Sequence, residues 1–78
     1  MNQLQKETFA KELAEILNDT DALSLYFNFV EKYPESLLRE VLAKTLAIPD
    51  EKIRKTRGAL FNYLIKQHDK TSRHYPRH

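Results

Sequence analysis

The chain has 78 residues, 41% of them hydrophobic and 31% charged, with no cysteine and a formal net charge of +2. That length holds one small domain, and the missing thiols exclude a disulfide framework and a thiolate metal centre. No apolar run approaches the roughly 18 residues of a membrane span, and "MNQLQKETFAKEL" has no basic-then-apolar leader pattern, so a soluble, cytoplasmic protein is expected.

The distribution of charge says more than its sum. Residues 1–50 carry five Lys/Arg against nine Asp/Glu, a net −4, whereas residues 51–78 carry eight against two, a net +6. A basic C-terminal third on an acidic body directs a protein towards polyanions.

Apolar residues recur at helical spacing and strand-like alternation is missing, so the fold class is all-α. A first helix is predicted from about Gln5 to Leu17, with Phe9, Leu13, Ile16 and Leu17 on one stripe. "NDTD" at 18–21 ends it, because Asn and Asp compete for backbone hydrogen bonds and an Asp or Thr caps the next helix. The second helix, about Ala22 to Lys32, places Leu23, Leu25, Tyr26, Phe27, Phe29 and Val30 over more than half its circumference. A surface helix needs an apolar stripe of only about 100°. This helix is therefore central to the bundle or also buried between subunits, and Leu25 and Phe29 on its second flank are the candidate interface of a homodimer. The aromatic run "YFNFVEKY" reads as core rather than as a base-stacking platform.

Pro34 suits the start of a third helix, where a missing N–H costs nothing; Leu37, Leu38, Val41, Leu42, Thr45 and Leu46 follow on one side. Pro49 marks the start of a fourth helix in the same way, with Asp50 and Glu51 at its positive end. Ile53, Leu60, Phe61 and Leu64 keep helical phase to about Gln67. The expectation is a bundle of about four helices in a single domain over residues 1–68. A flexible basic tail follows over residues 69–78, where Lys70, Arg73 and Arg77 alternate with His74, Tyr75 and His78.

Four of the six residues from Lys52 to Arg57 are cationic and the single glycine, Gly58, follows. Around them "LAKTLAIPDEKIRK" resembles a helix-turn-helix DNA-binding unit over about 20 residues: small Ala43, apolar Leu46 and Ile48 about the turn, then inward-facing Ile53. Ala47 stands where such units more usually have glycine, and Thr56 where an apolar residue is more usual. The resemblance implies that the fourth helix enters the major groove of double-stranded DNA with its N-terminal half. Lys52, Arg54, Lys55 and Arg57 would then meet phosphates and bases, although Arg57 lies near enough to the apolar stripe to lay its stem across the core edge instead. Gly58 would allow a close approach of a phosphate backbone or of another helix, or mark a kink.

No chemistry competes with that reading. One glycine cannot build a Gly-rich phosphate loop, no Ser or Thr stands in a nucleophile motif, and Glu12/Glu15 and Glu35/Glu40 are ordinary helix-surface pairs. His74 and His78 are four apart but separated by Pro76, which disfavours the helix that would align them; with no carboxylate-rich or thiolate shell, no metal and no cofactor is expected. The sequence thus points to a non-enzymatic DNA-binding protein, a regulator of transcription or an accessory factor of replication or mobile elements. The alternative is a protein-interaction module, a subunit or inhibitor that docks a protein partner through the apolar second helix.

Overall fold

A computed structural model describes the backbone of residues 1–74 and the side chains of residues 1–68. Helix α1 spans Gln3–Ile16 and starts two residues earlier than its apolar stripe suggests, because Asn2 caps it. The Asn2 side chain accepts from the Gln5 N–H at 2.8 Å and the Gln5 side chain accepts from the Asn2 N–H at 2.9 Å, a capping box that satisfies two of the first turn's orphan donors. At the other end Asn18 takes φ 53°, the left-handed region that Asn tolerates better than most residues. The Asn18 N–H reaches the Glu15 carbonyl at 3.1 Å and the Asp19 N–H the Ala14 carbonyl at 2.8 Å. This is a Schellman closure, and it turns the chain into a short 3-10 turn, Thr20–Ala22.

Helix α2, Leu23–Lys32, packs back on α1. Tyr33 and Pro34 are extended, so the chain leaves α2 and enters α3, Glu35–Ala47, within two residues. Pro34 stands just outside the helix and its carbonyl takes the Leu38 N–H at 3.2 Å. Helix α4, Arg57–His74, packs on α3. The expected four-helix, all-α architecture holds, and the described residues contain no strand. Helix α4 runs into the segment read as a tail. Residues 75–78, and the side chains of Lys70, Arg73 and His74, lie outside the described residues.

One boundary differs from expectation. The fourth helix does not start at Pro49: residues 50–52 form a separate 3-10 turn, Ile53 is extended at φ −90° and ψ 118°, and α4 begins only at Arg57. The physical reason is a second cap. Thr56 Oγ1 accepts from the Ala59 N–H at 3.0 Å and the Thr56 carbonyl from the Leu60 N–H at 3.1 Å, so the helix is nucleated at Thr56.

The core gathers Phe9, Leu13 and Leu17 of α1 and its end, Tyr26, Phe29 and Val30 of α2, Leu38 and Val41 of α3, and Phe61 and Ile65 of α4. Phe29 is its aromatic hub, with ring centroids 6.0 Å from Tyr26, 5.9 Å from Phe61 and 6.0 Å from Tyr33. Each such pair adds about 0.5–1.5 kcal/mol to the burial itself. This corrects the interface expectation: Phe29 is 5% exposed within one chain and offers no surface to a second copy, and Leu25 is half-buried against the same core. The aromatic run on α2 is core, as its spacing suggests.

Candidate nucleic-acid interface

The connection between α3 and α4 and the first residue of α4 hold the four cations of the helix-turn-helix resemblance, and the fold divides them. Arg57 belongs to the fold. Its guanidinium donates to the Thr45 carbonyl at 2.7 Å, which otherwise takes only the long 3.4 Å bond from the Ile48 N–H at the end of α3, and to the Asp50 carboxylate. Arg57 therefore ties together the end of α3, the 3-10 turn and the first turn of α4. Thr45 is itself fully buried, its hydroxyl donating to the Val41 carbonyl at 2.8 Å.

Gly58 also belongs to the fold. It is buried in the first turn of α4, and a Cβ there would stand 2.4 Å from Asp19 Oδ2 and 3.0 Å from the Tyr26 hydroxyl. Glycine leaves room here for the Asp19 side chain, which comes up against α4 at this point. The Tyr26 hydroxyl donates to Asp19 Oδ2 at 2.8 Å. Burial first, then this hydrogen bond and the carboxylate's charge, push the Tyr26 phenol well above its ordinary value. The Asp19 carboxylate lies against the positive end of α4, where negative charge is favoured. Gly58 thus has no surface with which to meet a nucleic acid, which corrects its placement among the contact residues.

Lys52, Arg54 and Lys55 are different. All three are exposed, on the 3-10 turn and the irregular stretch after it, and among the described residues none has an ion pair or a side-chain hydrogen bond. Elsewhere Lys6 pairs with Glu31, Arg39 with Glu35 and Lys44 with Glu40. Because α4 starts at Arg57, these three cations precede the helix rather than ride on it. Ala43, the small residue of the resemblance, is exposed on α3.

The three cations border a groove of about 450 Å³ between the connection and the start of α4. Half-buried Ile48, Ile53 and Leu60 give it an apolar floor, Ala59 lies beside them, and Tyr63 stands at its edge with 60% of its surface exposed. The sequence reading did not single out Tyr63 or Leu60 for this site. The signal for Tyr63 was its phase: it falls off the Phe61–Leu64–Ile65 stripe, so an aromatic ring sits on the polar side of α4. Asp50 is engaged by Arg57, which leaves Glu51 as the anion of the connection without a partner.

Among the described residues no three His, Asp or Glu side chains gather where they could hold a metal ion, and no helix is long and apolar enough to cross a membrane. No protein-family model matches the chain, and no significant match to it is found among curated proteins or solved structures.

Proposed function

We propose that the chain is a small non-enzymatic DNA-binding protein whose contact surface is the α3–α4 connection. The observation that carries this is the set of three exposed cations within four residues, Lys52, Arg54 and Lys55, that the fold leaves without partners. Lysine and arginine side chains that meet phosphates displace the counterions condensed on a nucleic acid, and the release of those ions drives binding. Arg57 and Gly58 serve the fold, so contact rests on the other three. A regulatory or replication-accessory role fits a domain of this size, which binds without chemistry of its own. The rival reading, protein docking through the second helix, loses Phe29 to the core and keeps half-buried Leu23, Leu25 and Phe27.

Fluorescence anisotropy of labelled DNA against protein at stepped salt tests the proposal. A log–log salt slope of about −0.7 to −0.9 per phosphate contact is expected, together with a loss of at least about 100-fold when Lys52, Arg54 and Lys55 are all changed to Glu. Circular dichroism of the triple variant should match the parent. No binding at low salt, or equal binding by the charge-reversed protein, sinks the reading.

A further inference from the structure

The shape of the site bears on which form of nucleic acid it takes. A protein reads a duplex by pushing a convex element, a helix or a β-ribbon, into a groove about 12 Å wide. Here the unpartnered cations do not sit on a protruding helix. They surround a concavity with an apolar floor, and a concavity receives what protrudes from its ligand. In a duplex the bases are stacked and paired, and the outward surface is phosphate and sugar, which gains nothing from Ile48, Ile53 and Leu60. In a single strand the base faces are available, and every base has an apolar π-face.

Tyr63 adds an aromatic surface to the same groove. A tyrosine ring left 60% exposed on the polar side of a helix is not held there by packing, and it borders the same groove as the cations. Basic side chains that follow a backbone, next to an aromatic ring on which a base stacks, are the pairing that single-strand binders use.

Resting on the DNA-binding reading above, we infer that the α3–α4 groove is a single-strand site: Lys52, Arg54 and Lys55 hold successive phosphates while an unstacked base lies against Tyr63 and the Ile48–Ile53–Leu60 floor. The occupant is single-stranded nucleic acid, chosen over an acidic protein segment because Tyr63 and the cations together match a base beside its phosphates.

The test is anisotropy with three labelled ligands of equal length, about 12 nucleotides: oligothymidine, a blunt duplex, and an abasic strand that keeps the phosphates but has no bases. The full chain should bind oligothymidine more tightly than the duplex at moderate salt, and the abasic strand more weakly by about 5- to 150-fold, the range for one stacked base. Tyr63→Ala should lower affinity for oligothymidine by a similar factor and leave abasic binding and the salt slope unchanged; Tyr63→Phe, which keeps the ring, should restore it. Tyr63 is exposed, so neither variant is expected to disturb folding, and thermal melting checks this. Duplex binding as tight as oligothymidine, or no effect of Tyr63→Ala, overturns the single-strand inference while the DNA-binding reading stands. Binding of none of the three ligands at low salt overturns both, and an acidic protein segment then becomes the occupant to seek.

Discussion

The chain passes from α1 to α2 and from α3 to α4 through two connections that each contain one 3-10 turn, Thr20–Ala22 and Asp50–Lys52. The first is drawn into the fold. Asn18 closes α1 in the left-handed conformation, and Asp19 receives the Tyr26 hydroxyl and lies against Gly58 of α4. The second keeps only its two ends in the fold, Arg57 on the Thr45 carbonyl and Asp50, and Thr56 on the Ala59 N–H. Between those ends Lys52, Arg54 and Lys55 touch no partner and Ile53 is half-buried in an open groove. Side chains that hold a small domain together are rarely available for a ligand. The side chains that hold the fold and those left without partners thus fall in different connections, and within the second connection at different residues.

The largest effect that sharpens this contrast is expected at Gly58. Alanine is the better helix former by about 1 kcal/mol, so on local grounds Gly58→Ala should stabilise α4. The added Cβ, however, meets a short carboxylate side chain that is itself held by Tyr26, and overpacking of this kind costs about 1–3 kcal/mol. A net loss of up to about 2 kcal/mol is expected, a fall in Tm of up to several degrees for a domain this small. Nucleic-acid affinity of the folded protein should not change. A rise in Tm would mean that the first connection is not seated against α4.

Tyr26→Phe comes next. It removes a hydrogen bond to a carboxylate, worth about 1.5–3 kcal/mol when the acceptor is charged, and Asp19 is half-buried, so the lower end applies. The same site makes stability depend on alkaline pH. The folded phenol is raised above its ordinary value, whereas in the unfolded chain it ionises near pH 10. Tyr26 therefore contributes fully below about pH 10, and stability falls above it as the unfolded state releases the proton and the folded state does not. Urea midpoints at about pH 8 and about pH 11 should show a smaller alkaline loss in Tyr26→Phe than in the parent.

The sequence made the first half of the molecule legible and hid the second. Helical spacing located all four helices, and Pro34 marked α3 to within a residue. The start of α4 was masked because Pro49, Asp50 and Glu51 form a proper helix-start signal, and because Ile53 lies seven residues before Leu60, two turns in phase. What decided the matter was Thr56, whose side chain reaches the N–H three residues on, together with a glycine that a helix interior tolerates poorly. Phe29 looked surplus because a helical wheel shows one helix, whereas its burial comes from Tyr26, Tyr33 and Phe61. The reason for Gly58 lies 39 positions earlier, at Asp19, and no local pattern carries that. The cations of the site could be read directly from the sequence; the groove beside them and the exposure of Tyr63 required the fold.

Thr56→Ala tests where α4 is nucleated, with a smaller effect. Loss of a threonine cap costs about 1 kcal/mol, a Tm shift of about 4–8 °C in a chain of this size. Thr56→Ser should recover most of it. Because Thr56 joins the groove to the helix, the alanine variant should also show faster amide exchange at Ala59 and Leu60, without faster exchange at Tyr26 in α2. If Thr56→Ala leaves Tm unchanged, the helix starts elsewhere and the cations could ride on it after all.

The smallest effects on stability are expected where the effects on binding are largest. Lys52→Ala, Arg54→Ala and Lys55→Ala each remove a side chain with neither burial nor partner, and surface substitutions of that kind stay within about 0.5 kcal/mol. Removing one of three neighbouring like charges relieves repulsion, so a slight gain is the expected sign. Each change should nevertheless reduce the salt slope of DNA binding by about 0.7–0.9, one phosphate contact. Arg57→Ala provides the counter-case: it breaks the link from α4 to the Thr45 carbonyl and Asp50, so its Tm should fall while the slope stays near that of the parent. If instead Arg57→Ala changed the slope and left Tm untouched, the division of the four cations between fold and ligand would be reversed.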